Sequence, residues 1–224
     1  GREVISGFMN GTEDELSPML NKVVVAYRSN NASTYGYSFS HTLPLELSPI
    51  VKVDYYDDYS FLPYTQDEDP TQFACETLIE VGPIPTTLAA GSTFTEITLP
   101  ATSLLTGSLS FNLQGYAPLL SVNYYDRKGY LREIHSRNHL GGMDHEIYTT
   151  TYTGKPLSVV RRHDNGEGDS ITFSLNYTYD HAERLMQLTH SLNGAEPVVL
   201  ESVTYDELGR KATSVSGNLS TSYD

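Results

Sequence analysis

The chain has 224 residues, 38% of them hydrophobic and 19% charged, which is the composition of a folded domain rather than a disordered one. Its formal net charge is −14 and no basic run is longer than a pair such as Arg161-Arg162, which excludes an electrostatic grip on nucleic acid or docking on anionic lipid. No stretch of about 18 apolar residues has the length of a membrane-spanning helix, and a single cysteine, Cys75, leaves no intrachain disulfide and no cysteine-based metal site.

Taken in chain order, Thr12 with Glu15 three residues on has the form of a capping box, and Pro18 limits that helix to a turn or two. KVVVAYR (22–28) reads as a buried strand, followed by a polar SNNAST loop and by YGYSFSH with strict alternation. SPIVKVDYYDDYSF (48–61) reads as a further strand that ends in an acidic turn. From 63 to 103 Pro, Thr, Gly and acids accumulate, which predicts an irregular excursion with short strands near 73–81 and 94–99. Within it Cys75, in FACETLI, reads as a packed small hydrophobe rather than a thiol nucleophile.

Tyrosine is the unusual residue, with 17 Tyr against 7 Phe and no Trp. Tyr and Thr suit pleated, half-exposed surfaces, because the ring or methyl packs while the hydroxyl stays wet. From about Leu104 the pattern becomes regular: GSLSFNLQG and PLLSVNYYD form a hairpin with a glycine-containing turn. A repeat then takes over. Tyr125, Tyr152, Tyr179, Tyr205 and Tyr223 are separated by 27, 27, 26 and 18 residues, and the first four open the phrases YDRKGYL, YTGKPL, YDHAERL and YDELGRK.

Each phrase has a mechanical reading. The corner Asp (Asp126, Asp180, Asp206) accepts a hydrogen bond from a backbone N–H two residues on. Gly129, Gly154 and Gly209 supply the positive φ that the turn needs. Arg184 and Arg210 begin the returning strand, and Asn/Gly-rich loops lead into the next unit. One hairpin cannot bury a face alone, so neighbours stack, with rows of Tyr as cross-strand ladders. The fold class expected is all-β: stacked β-hairpin repeats in an extended, twisted antiparallel sheet. The organisation expected is a β-rich region over 1–103, irregular from 63, and a repeat region over 104–224.

The phrase Y-D-x-x-G-R resembles the YD repeat of RHS (rearrangement hotspot) proteins and their teneurin relatives. It is most literal at Tyr205, Asp206, Gly209 and Arg210, and degenerate at Tyr152. NYYDRKGYLREIHSRNHLGGMDHE (123–146), VDYYDDYSFL (53–62) and LLTGSLS (104–110) are similar to phrases of the large RHS-like surface proteins of Bacteroidetes. The resemblance implies a structural repeat, part of a spiral sheet or shell that in bacteria commonly encloses a C-terminal toxin, in a secreted or cell-surface protein. The family's self-cleaving core segment has no counterpart in this sequence. The start at Gly1-Arg2-Glu3, without an initiator Met, and the stop at Tyr223-Asp224 read as cuts in a longer chain, the second inside a repeat.

Other clusters have bland readings beside sharper ones. His135 and His139 would share a helix face and could hold zinc, with Asp144 and His145 nearby, but the double glycine and the strand pattern favour a hairpin connection. Asp54, Asp57, Asp58, Asp67, Glu68 and Asp69 are dense enough for calcium, and equally form a solvated acidic loop. HDNGEGD (163–169) lacks the Glu and the helices of a calcium loop, and its Asn-Gly marks a turn. No nucleophile elbow, phosphate loop or ordered Ser/His/Asp set stands out. The expectation is a non-catalytic scaffold with no cofactor, no metal and no nucleic-acid partner. Its partners are the remainder of its own longer chain and, on the alternative reading of a binding module, a glycan or host protein.

Overall fold

The computed structural model describes residues 2–9, 26–29, 34–40, 47–65, 70–73, 75, 101–112, 117–126, 128–217 and 219–223. The expected capping box at Thr12 lies outside them, as do residues 22–25 of the first strand and nearly all of the strands expected near 73–81 and 94–99. The described secondary structure is strand, apart from short 3-10 turns such as Leu62–Tyr64 and Pro70–Phe73.

The strands are β1 (Ile5–Met9), β2 (Ala26–Arg28), β3 (Tyr37–Phe39), β4 (Leu47–Asp57), β5 (Ala101–Ser110), β6 (Leu119–Tyr125) and β7 (Leu131–Arg137). They continue with β8 (Met143–Thr150), β9 (Pro156–Asp164), β10 (Ser170–Tyr179), β11 (Leu185–Leu192), β12 (Val198–Tyr205), β13 (Lys211–Ser216) and β14 (Leu219–Ser222). β2 and β3 form a separate two-stranded hairpin. The other twelve form one antiparallel sheet in the order β1-β4-β5 and then consecutively to β14, so from β4 onward sequence neighbours are sheet neighbours. The all-β, hairpin-connected antiparallel sheet expected from the sequence is what forms. The chain divides into two compact units, residues 1–129 with 135–137, and residues 130–134 with 138–224.

Unit 1 has a core. Val53 and Tyr55 of β4 alternate with less buried residues, as do Leu120, Val122 and Tyr124 of β6, so period-two patterning delivers one apolar face. The acidic turn after β4 then folds Tyr59, Phe61 and Leu62 back to bury them. Phe61 stacks on Tyr55 with ring centroids 4.2 Å apart, and Tyr37 stacks behind Tyr55 at 5.7 Å. Phe61 also lies on Gly107 of β5, where an added Cβ would stand 2.6 Å from Phe61 Cε2. Buried phenols find carbonyls: Tyr37 donates to Asp54 O (2.7 Å), Tyr55 to Tyr35 O (3.1 Å) and Tyr59 to Asn123 O (2.8 Å). Desolvation raises the pKa of Tyr55 and Tyr59, so both remain neutral donors. Cys75 is buried, as a packed small hydrophobe should be. Each fully buried aromatic or aliphatic side chain here contributes about 1.5–3 kcal/mol.

Unit 2 is built differently. Among its described residues Val203 is the large apolar side chain that is fully buried, whereas Leu157, Ile171, Leu192 and Val198 to Leu200 are exposed. Its strands are registered without interruption over β9–β10 and slip by a bulge at the end of others, at Thr149/Thr150, Thr178/Tyr179 and Thr204/Tyr205. Each of those bulges immediately precedes a turn, where the extra residue re-aims the side chains that follow.

Candidate functional site: the interlocked turns

The repeat phrases form four turns of one design. Gly129 N–H donates to Asp126 O (2.9 Å), Gly154 to Thr151 O (3.1 Å), Glu183 to Asp180 O (3.0 Å) and Gly209 to Asp206 O (3.0 Å). The fourth residue of each turn is left-handed, with φ of 80°, 90°, 57° and 79°. Glycine takes this conformation without strain, and Glu183 takes it at a cost.

The corner aspartates fasten the turns. Asp180 Oδ1 accepts the N–H groups of Ala182 and Arg184, both at 2.9 Å, while its Oδ2 accepts Arg184 Nε at 2.7 Å. Asp206 repeats the set with Leu208 N (2.9 Å), Arg210 N (2.8 Å) and Arg210 Nε (2.7 Å). Asp126 accepts Lys128 N at 2.9 Å. The Arg184 N–H first, and its guanidinium and the Ala182 N–H after it, pull the Asp180 carboxyl down to about 2, and Asp206 is lowered by the same kinds of partner.

The tyrosine before the corner bonds to backbone. Tyr125 OH donates to Leu105 O (2.7 Å), Tyr179 OH to Pro156 O (2.7 Å) and Tyr205 OH to Leu185 O (3.0 Å). In two of these the accepting carbonyl belongs to the strand that leaves the preceding turn. The rows of tyrosine thus brace successive turns through hydrogen bonds, and a cation covers the ring. Arg184 sits 4.4 Å from the centroid of Tyr205, and Lys155 Nζ sits 5.8 Å from that of Tyr179.

The same side chains lock one turn onto the next. The residue after the left-handed position, Tyr130, Lys155 or Arg184, lies against the left-handed position of the following turn. A Cβ on Gly154 would stand 2.7 Å from the Tyr130 ring, and one on Gly209 would collide with Arg184 Nη1. Lys155 Nζ donates to Glu183 O and pairs with Glu183 Oε2 at 3.7 Å. Glycine at these places is therefore required twice, by φ and by the neighbour above it.

Tyr152 is placed differently from the other repeat tyrosines. It is 85% exposed within the turn, and Thr150 and Thr151 occupy the places of Tyr and Asp. Thr151 Oγ1 accepts Lys155 N at 3.1 Å, as the corner aspartates accept the N–H of Arg184 and Arg210. The structural corners thus stand at residues 126, 151, 180 and 206. Sequence reading anchored on tyrosine missed Thr151, Tyr130 and Lys155; counting back three residues from Gly154 finds the first. Tyr223 lies opposite Ala212, to which its N–H donates at 3.0 Å, and Asp224 lies outside the described residues.

The opposite ends of these hairpins hold asparagine-fastened turns. Asn138 Oδ1 accepts Leu140 N and Gly142 N, and its Nδ2 donates to Asp164 O at 2.7 Å. Asn165 Oδ1 accepts Glu167 N and Asp169 N, so HDNGEGD is a turn. His135 is buried on β7 and meets the Tyr124 ring edge-on at 5.5 Å, whereas His139 is exposed in the turn. Asp144 pairs with His163 at 2.5 Å. Asp57 and Asp58 are engaged by Arg2 and Arg28, and residues 67–69 lie outside the described part. No group of three or more His, Cys, Asp or Glu among the described residues is arranged to hold a metal ion.

No protein-family model and no curated protein matches this chain.

Proposed function

We propose that the chain is a non-catalytic structural scaffold, a segment of a YD-repeat sheet of the RHS kind, exposed on a cell surface or secreted. The observation that carries the reading is the turn-on-turn lock. Tyr130 on Gly154, Lys155 on Glu183 and Arg184 on Gly209 make each repeat a seat for the next. Such contacts extend a sheet indefinitely without a second layer, which is what a shell wall requires. The polar atoms of the turns are spent on one another, as expected of structural rather than reacting groups.

Electron cryo-microscopy of the natural gene product that carries these residues tests the reading. A continuous sheet wound around a hollow is the expected result; a short sheet flanked by unrelated globular domains would overturn it. Intact-mass analysis of the same product then asks whether a C-terminal piece is released by self-cleavage, as for an enclosed toxin. A second reading, a surface that binds a glycan or host protein, is favoured by the exposed Tyr152, Leu208 and Val198.

A further inference from the structure

Unit 2 has two unlike faces. Residues paired across antiparallel strands point to the same side of a sheet, so the register sorts the side chains. Between β10 and β11, Phe173 stands opposite Leu192, Leu175 opposite His190 and Tyr177 opposite Leu188. The same side continues outward, with Leu175 opposite Val159 on β9 and His190 opposite Val198 on β12. On the other side Ser174, Asn176 and Thr178 stand opposite Ser191, Thr189 and Gln187. One side is thus apolar and aromatic at its centre, and the other is hydroxyl and amide.

An antiparallel sheet commonly turns one side to a core and one to water, and the polar side here suits the water. The apolar side has no second layer within the unit. Among its described residues unit 2 is strands and turns alone, and Ile171, Leu192 and Val198 on this side are 52%, 47% and 60% exposed.

The size of the face decides what fits it. The strands β8 to β13 have six to ten residues each. Six strands about 4.8 Å apart, with roughly eight residues at about 3.3 Å rise, make a face of about 750 Å². A stable protein–protein contact takes about 800 Å² from each partner. The margin is polar and paired. Glu146 and Asp144 of β8 lie opposite Arg161 and His163 of β9 on this same side, and the Arg161–Glu146 and His163–Asp144 contacts each measure 2.5 Å. An apolar centre inside a polar margin is the anatomy of an interface. Because that margin carries both signs already joined, it does not repel a second copy of itself. Two apolar sheet faces interdigitate when their strands align within about 30°, so such a face is complementary to its own kind.

We propose that this side of unit 2 packs against the same side of a second copy of the chain, making a two-fold β-sandwich with β10 and β11 at its centre. A sheet wound into a shell and a short sheet present this side alike, so the inference does not rest on the scaffold reading.

Sedimentation velocity of the intact chain over a range of concentrations tests it. A reversible monomer–dimer equilibrium is expected. Ile171→Glu and Val198→Glu place a carboxylate in the packed face at exposed positions. Each is expected to weaken the dimer at least ten-fold, with the strand signal in circular dichroism retained. Two controls are expected to leave the dimer unchanged. Thr178→Glu lies on the polar side, where Thr178 is exposed. Ser220→Pro lies on the edge strand β14; Tyr223 N–H bonds Ala212 O, so by alternation Ser220 N–H points away from β13 and the ladder is kept. A chain monomeric at every concentration would overturn the proposal, as would a dimer indifferent to both Ile171→Glu and Val198→Glu. A dimer lost in Thr178→Glu would place the contact on the other side, and one lost in Ser220→Pro would place it at the sheet edge; either overturns the assignment.

Discussion

Unit 1 and unit 2 use the same material, antiparallel strands rich in Tyr and Thr, and stabilise it by different means. In unit 1 the chain doubles back after Asp57, so Tyr59, Phe61 and Leu62 are buried with Val53, Tyr55 and Leu109. In unit 2 the large side chains stay half-exposed, and the ordered contacts lie at the ends of the hairpins, where Asp180, Arg184, Tyr205 and Gly209 form one connected group. A sheet with little to bury can hold its register through its turns. The stability of unit 2 is therefore local and repeated, and that of unit 1 is pooled in a core.

The largest expected effect falls on unit 1. Phe61→Ala removes a ring stacked between Tyr55 and Gly107 and should cost about 3–5 kcal/mol, read as a lowered urea midpoint. A cost below 1 kcal/mol would mean that the stack is not a core. Next comes Gly209→Val, which places a branched side chain at φ +79° against Arg184. It should destabilise unit 2 by about 2–3 kcal/mol, from left-handed strain and the displaced guanidinium, with unit 1 unchanged in hydrogen exchange. An unaltered melt would contradict the requirement for glycine.

Acid should separate the units as well. Asp180 titrates near 2 in the folded chain and near 3.9 when unfolded, so its contribution is present above about pH 4 and is lost as pH falls toward 2. Asp206 is shifted the same way. Melting followed over that window should show unit 2 loosening first, and Asp180→Asn should flatten the acid limb. The smallest effect is a gain: Glu183→Gly relieves φ +57° but forfeits the bonds to Thr153 and Lys155, for a net stabilisation of about 0.5 kcal/mol. EDTA should leave both transitions where they are; a drop of several degrees would point to calcium in the acidic stretches.

The fold was largely legible where one physical rule acted alone. Strict alternation marked β3, strand-like runs marked β4 and β6, the recurring phrase marked the strands of the repeat, and the glycines at 129, 154 and 209 announced positive φ. Reading failed where two residue types do the same job. Thr151 accepts the Lys155 N–H much as aspartate would, so the turn survives without its Asp, and the exposed Tyr152 drew attention one place too far. The Arg184–Gly209 contact was hidden for another reason, since it joins residues 25 apart through the register of β11 and β12 rather than through any local pattern.

The most direct measurement is native-state hydrogen exchange of the wild type and Arg184→Ala side by side. Expected in the wild type is the slowest exchange in β4–β6 of unit 1. Expected in the variant is faster exchange across β10 to β13, on both sides of the lost lock, with β4–β6 unmoved. Equal protection in both units and no response of β10 to β13 to Arg184→Ala would contradict the claim that interlocked turns hold unit 2 together.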